Sequence, residues 1–508
     1  MGARRTPRAR GAARLTIPGR PERDRQHRHA RRDNHTRPPR GDRPLVDPAR
    51  EAAYQAVAAV HRDDAYANLA LPGILRKAGL AGRDAAFATE LTYGTLRARG
   101  TLDAIVADAA GREVGRIDPP VRDALRLGAY QLLYTRVPPH AAVSSTVDLV
   151  RMVAGSAATG FANAVTRRIG ERPLAEWLDR LAPGDPVGDL ALRHNHPEWI
   201  VRAFADALGV GPAEGGELER LLTADNARPQ VHLCARPGLI DAADLASESG
   251  GEVGPYCPYT VRLGGGAPGE IRAVGHGPTH SPPRRPEGPS LAHVQDEGSQ
   301  LVAVALANAP IQGQDTRWLD LCAGPGGKAG LLGALARLRG ATVTAVEVAP
   351  HRAELVARAV RGLPVEVVCA DGRAVGTDIP EAVFDRVLVD APCSGLGALR
   401  RRPESRWRRQ PNELPELTQL QRELLLAGVR AVRPGGLVGY VACSPHVVET
   451  RVTVGEVVRR SPYPVRQIDA RPLFPGDMPE LGEGPAVQLW PHRHGTDAMF
   501  LAALQRED

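Results

Sequence analysis

Lysine is almost missing from this 508-residue chain: Lys77 and Lys328 are the only two lysines among 65 basic residues. Arginine therefore supplies nearly every positive charge. The two side chains are not interchangeable, because lysine presents a compact point charge and arginine a planar fork of donors. Lys328 stands in a glycine-rich stretch, and its retention there indicates a specific role.

Cysteine is also scarce and never forms a C-x-x-C pair, which argues against a zinc ribbon or a disulfide framework. No apolar run reaches the roughly 18 residues needed to cross a bilayer, and the basic N-terminus lacks the apolar segment of a secretory signal. These features predict a reduced, cytoplasmic protein with no membrane span and no bound metal.

The net charge of +7 is unevenly distributed. Residues 1–44 contain 14 arginines and four acidic residues, which leaves the rest of the chain slightly acidic. Because this stretch is rich in Arg, Pro and Gly and has no periodicity, it is predicted to be a disordered Arg-rich tail that could bind phosphates non-specifically.

Apolar spacing divides the remaining chain into three parts. Residues 45–172 show apolar positions three or four apart, and Asp47 followed by Pro48 suits a helix start. Residues 173–293 begin as helices and turn to short strands and Gly/Pro-rich loops. Residues 294–508 alternate strands and helices, which is typical of a parallel sheet that binds ligands at the carboxyl ends of its strands. The predicted fold is multidomain: an all-α domain, a small α+β region and a Rossmann-like α/β domain.

Five short apolar runs are predicted as the strands of the α/β domain. They lie at residues 318–322, 341–348, 365–368, 384–390 and 436–443.

A glycine-rich loop follows the first predicted strand. It consists of Cys322, Ala323, Gly324, Pro325, Gly326, Gly327 and Lys328. A P-loop would need glycine in place of Cys322 and a hydroxyl residue in place of Ala329, and the dinucleotide fingerprint would need glycine there. The loop instead suits S-adenosylmethionine, whose charged amino-acid end needs hydrogen bonds but which brings no pyrophosphate.

Two acids follow the next two strands. Glu347 is placed to hold the ribose hydroxyls of such a cofactor, and Asp371 could reach its adenine. Either acid alone is commonly a turn or cap residue. Their placement after successive strands favours a cofactor-binding role for both.

Two Cys-Ser pairs end the fourth and fifth predicted strands, at Cys393 and Cys443. Neighbouring strands of this sheet class would bring both thiols into the crevice of the methyl donor. Three other cysteines are interpreted as small buried hydrophobes: Cys234, Cys257 and Cys369. Cys322 is interpreted as part of the cofactor loop.

Thiols suit one kind of methyl transfer. Carbon 5 of a pyrimidine is a poor nucleophile until a thiolate adds to carbon 6, which is covalent catalysis. Asp390 ends the fourth strand and could contact the N3 edge of a cytosine through a proton that it holds or shares.

These motifs resemble the RNA cytosine-5 methyltransferase family, in particular its bacterial ribosomal RNA small subunit methyltransferase B type. Residues 83–87 and 127–131 look like a NusB-type RNA-binding domain, and 294–300 resemble the lead-in to the catalytic domain. The resemblance implies that Cys443 is the nucleophile and that Cys393 helps to release the product. Pro392-Cys393 also matches the Pro-Cys nucleophile of DNA cytosine-5 methyltransferases, so this alternative stays open.

The chain departs from the family pattern at several positions. Ala442 replaces the usual Thr before the nucleophile, and Glu347 replaces the commoner Asp. Residues 497–500 read Asp-Ala-Met-Phe where the family has Asp-Gly-Phe-Phe.

An arginine-rich turn after Cys393 is predicted to contact RNA, because arginine pairs with phosphates and tryptophan stacks on bases. The predicted contacts are Arg400, Arg401, Arg402, Arg406 and Trp407. The target base should be unpaired or flipped out, since a base inside a helix cannot reach the thiol.

The sequence therefore predicts an S-adenosylmethionine-dependent RNA cytosine-5 methyltransferase, with 16S ribosomal RNA as the expected substrate and a monomer as the default state. The alternatives are the same chemistry on transfer RNA or DNA, and a non-catalytic RNA-binding ribosome assembly factor.

Overall fold

The computed structural model describes residues 46–214, 216–266, 268–274 and 289–508. The predicted Arg-rich tail, residues 1–44, lies outside the described residues, as does part of the Gly/Pro-rich segment before the α/β domain. Within the described ranges, no helix is both long and apolar enough to span a membrane.

The N-terminal part is helical, as predicted. Helix α1 begins where expected, because the Asp47 side chain accepts a hydrogen bond from the amide of Arg50 and proline follows at the first helical position. Interior faces of most of these helices meet in an apolar core that includes Leu102 and Leu125. The helices are α1 (Pro48–Arg62), α2 (Ala67–Lys77), α3 (Gly82–Arg97), α4 (Arg99–Ala110), α5 (Pro119–Tyr134), α6 (Pro139–Ala154) and α7 (Thr159–Ile169).

Further helices and a small sheet come next. The elements are α8 (Leu174–Leu181), α9 (Pro186–Arg193), α10 (Glu198–Leu208), α11 (Glu217–Asn226), β1 (Val231–Ala235), α12 (Ala242–Ser249), β2 (Glu252–Val253), β3 (Thr260–Leu263) and β4 (Ala292–Val294). The strands form an antiparallel sheet in the order β2-β3-β1-β4. Because β4 runs directly into the next domain, this small sheet is joined closely to it.

The C-terminal domain alternates strands and helices. Its elements are α13 (Glu297–Asn308), β5 (Arg317–Asp320), α14 (Gly327–Arg339), β6 (Thr342–Val346), α15 (Pro350–Ala359), β7 (Val365–Val368), β8 (Phe384–Asp390), α16 (Ser405–Arg408), α17 (Leu414–Ala431), β9 (Val432–Ala442), α18 (Arg451–Arg460), β10 (Val465–Ile468), β11 (Val487–Gln488), α19 (Pro491–His494) and β12 (Phe500–Arg506).

One large sheet organises this domain, in the order β10-β12-β9-β8-β5-β6-β7. The strands from β9 to β7 in this order are parallel, which confirms the predicted fold class. Helices α13 and α14 cover one face, and α17 and α18 cover the other. All five predicted strands are present, although β9 begins four residues earlier than expected. The antiparallel strands β10, β11 and β12 were not predicted.

Candidate active site

Cys393 and Cys443 lie on neighbouring turns at the carboxyl edge of the large sheet. Strands β8 and β9 pair in parallel with Asp390 opposite Val441, so the turns that follow them emerge side by side. The two sulfur atoms are 3.3 Å apart, and one thiol can donate a hydrogen bond to the other. Both cysteines are free and half-buried. The structure thus brings together the two thiols that the sequence predicts to share a crevice.

The two thiols have different electrostatic surroundings. The pKa of Cys443 is lowered, mainly because Cys393 donates a hydrogen bond to it. The positive charges of Lys328 and Arg402 lower it further, against the opposing effects of burial and of Asp390. The pKa of Cys393 is raised, because this thiol keeps the shared proton and is desolvated. Cys443 is therefore the thiol that ionises more readily, which suits a nucleophile.

Lys328 and Asp390 form an ion pair beside Cys443. The lysine Nζ lies 2.8 Å from Asp390 Oδ2. Burial alone would lower the pKa of Lys328, but the charge of Asp390 and this hydrogen bond outweigh it, and the pKa is raised. One of the only two lysines in the chain thus keeps its charge next to Cys443.

The glycine loop between β5 and α14 is held by hydrogen bonds to its backbone. The amide of Gly324 donates to Glu347 Oε2 at 3.1 Å, and Arg352 donates to the Gly324 carbonyl at 2.8 Å. A Cβ at position 324 would lie 2.1 Å from that carboxyl oxygen, so any larger residue would displace the Glu347 carboxyl group. Gly326 has φ of 108°, in the left-handed region that favours glycine.

Asp320, which ends β5, indicates that this loop binds a cationic group. Its side chain is fully buried, and neither carboxyl oxygen has a side-chain partner in the part of the chain that the structure describes. Burial, with a smaller effect of Asp390, raises its pKa to about 7. A cationic ligand would stabilise the ionised carboxylate. The amino group of S-adenosylmethionine fits this site.

The two acids singled out from the sequence follow adjacent strands, as predicted. Glu347 is buried after β6, where its Oε1 also accepts a hydrogen bond from the amide of Ala349 at 3.0 Å. Asp371 follows β7, is more exposed, and pairs with Arg373 at 2.6 Å. Their contacts with ribose and adenine stay predictions.

Part of the arginine-rich turn at residues 400–409 is occupied by contacts within the chain. Arg400 and Arg401 pair with Asp497 at 3.2 and 3.0 Å. Arg401 also pairs with Asp296 at 2.7 Å. These ion pairs hold the turn against the C-terminal segment and the start of α13.

Arg406 corrects the sequence-based assignment of an RNA contact. Its side chain is fully buried and donates hydrogen bonds to the carbonyls of Asn195 and Asp225 and to the side chain of Asn226. The prediction that Arg406 contacts RNA is wrong, because the guanidinium has no exposed surface.

Trp407 also packs within the protein. Its indole N–H donates to the carbonyl of Leu96 at 3.1 Å, and a Cβ at Gly100 would lie 2.2 Å from the ring. The tryptophan therefore docks on the helical domain, and its contact with RNA stays a prediction. Arg402 is the exposed member of the predicted set, 5.4 Å above the ring of Tyr66, and its charge reaches Cys443.

Trp407→Ala is expected to lower the free energy of unfolding by about 3 kcal/mol, because it removes a large packed side chain and leaves a cavity. Chemical denaturation of the variant measures this loss. Arg409→Ala serves as the control. Arg409 forms a partly exposed ion pair with Glu413 at 2.8 Å, so its removal should leave no cavity. Equal stability of Trp407→Ala and the control would contradict the docking role.

The remaining cysteines follow the prediction except for one. Cys234 and Cys257 are buried, as expected of small hydrophobes. Cys369 is exposed, so that interpretation was wrong for it. It follows β7, which is the edge strand of the large sheet.

Sequence reasoning missed two fully buried acids of this site, Asp320 and Glu449. Glu449 lies six residues after Cys443 but contacts Ser394, 55 positions away. The recurrence of serine directly after each of the two cysteines was the available signal that one group binds both turns.

Comparison with known proteins identifies the family. The chain matches the model for "16S rRNA methyltransferase RsmB/F" over residues 305–505 and the NusB family over residues 47–171. Ribosomal RNA small subunit methyltransferase B of Salmonella paratyphi B is 32% identical over 84% of this chain and 94% of that protein. This chain belongs to the ribosomal RNA small subunit methyltransferase B family.

Other relatives agree with this membership. A protein of Mycobacterium tuberculosis that carries a methyltransferase name is 56% identical over 91% of this chain and 97% of its own length. The crystal structure of PH0851 has a TM-score of 0.73 and 21% identity, covering 91% of this chain and 99% of that one, and shows the same fold. As a member of the methyltransferase B family, the chain uses S-adenosylmethionine as its cofactor, as predicted. The assignment of the glycine loop to this cofactor stays a prediction.

Proposed function

We propose that this enzyme transfers a methyl group from S-adenosylmethionine to carbon 5 of a cytosine in 16S ribosomal RNA, through a covalent bond between Cys443 and carbon 6. The contact of the two sulfur atoms beside the Lys328–Asp390 ion pair carries this proposal. The ribosomal substrate is supported by the family model and by the names of the relatives.

The cofactor supplies a methyl group activated by its bond to a positively charged sulfur. Cys443, as the thiolate, forms a bond to carbon 6, and the electron pair of the carbon 5–carbon 6 double bond becomes available at carbon 5. Carbon 5 then bonds to the methyl group as the methyl–sulfur bond breaks. Lys328 stabilises the thiolate before this attack by its positive charge.

Asp390 and Lys328 act on the other edge of the base in this scheme. Addition at carbon 6 pushes electron density onto N3, which then needs a proton or a hydrogen bond. The proton shared between Lys328 Nζ and Asp390 Oδ2, 2.8 Å apart, is available for this purpose.

Product release requires two further changes. The bond between carbon 5 and its proton breaks, its electron pair re-forms the carbon 5–carbon 6 double bond, and the sulfur of Cys443 leaves carbon 6 with the electron pair of the carbon–sulfur bond. Cys393 gives its proton to the departing sulfur and takes up the proton from carbon 5, so both thiols are protonated at the end of the step. We assign Cys393 to this step, because its sulfur lies 3.3 Å from that of Cys443 and can exchange a proton with it. Its raised pKa suits a group that holds a proton and is not the attacking thiolate.

Arg402 is the proposed RNA contact near the nucleophile, since it is exposed and within electrostatic reach of Cys443. The helical domain, which matches the NusB family, is a second proposed RNA-binding surface. Asp371 and Glu347 are proposed to hold the adenosine part of the cofactor.

Incubation with tritium-labelled S-adenosylmethionine and 16S ribosomal RNA tests the proposal. We expect label in RNA as 5-methylcytosine, and bisulfite sequencing of RNA from a strain that lacks the gene is expected to show one cytosine that has lost protection. If label appears in transfer RNA alone, transfer RNA is the substrate. Absence of label in any RNA would favour a non-catalytic assembly factor.

A further inference from the structure

Glu449 is a fully buried acid between the two cysteine turns. It ends the short 3-10 turn Val447–Glu449 that follows β9. Its Oε1 accepts hydrogen bonds from the amide of Ser394 at 2.7 Å and from Gln421 at 3.1 Å. Its Oε2 accepts from the hydroxyls of Ser394 and Ser444 at 2.5 and 2.6 Å.

These contacts use the full acceptor capacity that a carboxylate offers. Burying such a group is strongly unfavourable unless donors replace its water, and here four donors do so. The hydroxyls of Ser394 and Ser444 also lie 3.1 Å apart. Their two hydroxyl protons are therefore shared among three close oxygen pairs: each hydroxyl with Glu449 Oε2, and the two hydroxyls with each other. An acceptor-only group accommodates this arrangement, whereas an amide in its place would bring two hydrogens of its own.

The position of the two serines connects Glu449 to the chemistry. Ser394 directly follows Cys393, and Ser444 directly follows Cys443. One carboxyl group that binds both serines therefore fixes the separation of the two turns, and with it the separation of the two sulfur atoms.

Neighbouring groups hold Glu449 itself in place. Tyr440 on β9 donates its hydroxyl proton to the Glu449 carbonyl at 2.7 Å. Gln421 on α17 donates to the carbonyl of Pro392 at 2.9 Å as well as to the Glu449 side chain. The acid is thus fixed to β9 and α17, next to the serines that follow the two cysteines.

We propose that Glu449 is a positioning residue that sets the contact between Cys393 and Cys443 and thereby controls the reactivity of the nucleophile. This inference rests on the proposed function, in which Cys443 attacks the base. It assigns to Glu449 a role that neither catalysis by the thiols nor cofactor binding includes.

The pH dependence of Cys443 alkylation by iodoacetamide, followed by peptide mass spectrometry, tests the inference without RNA or cofactor. The hydrogen bond from Cys393 is the largest cause that lowers the pKa of Cys443. Glu449→Gln is expected to weaken that hydrogen bond and move the alkylation midpoint up by about one to two pH units. Cys393→Ala should shift it in the same direction, and the double variant should add little beyond either single variant.

Glu456→Gln is the matched control. Glu456 lies on α18 and pairs with Arg422 of α17 at 2.9 Å, so it is an acid held by the same helix α17 but outside the cysteine turns. Its alkylation midpoint should equal that of the wild type. In methyl transfer, Glu449→Gln is expected to lower kcat about 10- to 100-fold at unchanged cofactor affinity, as loss of a supporting hydrogen-bond partner does elsewhere.

The inference would be overturned if Glu449→Gln had the alkylation midpoint of the wild type. It would also be overturned if the shifts of Glu449→Gln and Cys393→Ala added up in the double variant. If Glu449→Gln does not fold, Ser394→Ala and Ser444→Ala each remove one donor and keep the acid. Both should then shift the midpoint upward by less, and unchanged midpoints in both would also overturn it. Because alkylation needs no substrate, a wild type without methyl transfer would reject the proposed function and leave this test readable.

Discussion

Replacing Cys443 by alanine is expected to reduce methyl transfer by about 10⁴-fold or more, because loss of the nucleophile removes the covalent route altogether. Cofactor binding should persist, since the glycine loop and Asp320 are untouched. Single-turnover transfer of labelled methyl groups measures the loss. Cys369→Ala is the matched control, because that cysteine is exposed and lies after β7, away from the paired thiols.

The companion variant separates the roles of the two thiols. Cys393→Ala leaves the attacking sulfur in place but removes its partner at 3.3 Å, so an RNA–protein complex that survives denaturation should accumulate. The same complex should be absent from Cys443→Ala. A complex that forms only in Cys443→Ala would instead give the attack to Cys393, as the Pro-Cys dipeptide of DNA methyltransferases would suggest.

Lys328→Met is expected to lower the transfer rate about 10²- to 10³-fold at neutral pH, the size of effect seen when a group that stabilises developing charge is removed. The variant loses the charge that favours the thiolate of Cys443 and the ion pair with Asp390. Lys77→Met is its control, since the only other lysine is exposed on α2.

The pH dependence of the transfer rate should change in a defined direction in Lys328→Met. Attack needs the deprotonated thiol, so the rate rises with pH until Cys443 has ionised. Because the pKa of Cys443 is lowered in the wild type, that rise should be complete below the pH at which an ordinary thiol ionises. In Lys328→Met the rise should move to higher pH, and high pH should recover only part of the rate, since the proton donor for N3 is also gone. A profile identical to that of the wild type would contradict the role of Lys328.

Patterns within a few residues allowed much of the fold to be predicted. The core strands β5, β6, β7, β8 and β9 are short apolar runs with helices between them, and such runs are specified by local hydrophobicity. The glycine loop and both Cys-Ser pairs are local as well, and a parallel sheet brings the ends of neighbouring strands to one edge. That the turns of Cys393 and Cys443 emerge side by side follows from this topology.

The arginine-rich turn shows where local patterns are insufficient. Arginine and tryptophan together suit RNA contact and buried docking equally well. The groups that receive Arg406 and Trp407 lie about 180 to 310 positions earlier in the chain, so nothing near the turn distinguishes the two roles. Only the packing of distant helices determines that Arg406 is inside and Arg402 outside.

The buried acids Asp320 and Glu449 were missed for a related reason. A carboxyl group within an apolar run is inconspicuous until its surroundings are known. Asp320 is recognised as a candidate site residue because, among the described residues, its carboxyl group has no side-chain partner beside the glycine loop. Glu449 is recognised because it binds two serines on different turns. Both observations are properties of the folded chain.

Peptide mapping of the complex trapped on RNA that contains 5-fluorocytosine tests whether Cys443 forms the covalent bond to carbon 6. Fluorine at carbon 5 leaves no proton to remove, so the adduct cannot be released after methyl transfer. The wild-type enzyme should yield one modified peptide that carries the methylated nucleoside on the sulfur of Cys443. Attachment to Cys393, or transfer of the methyl group without any adduct, would contradict the account.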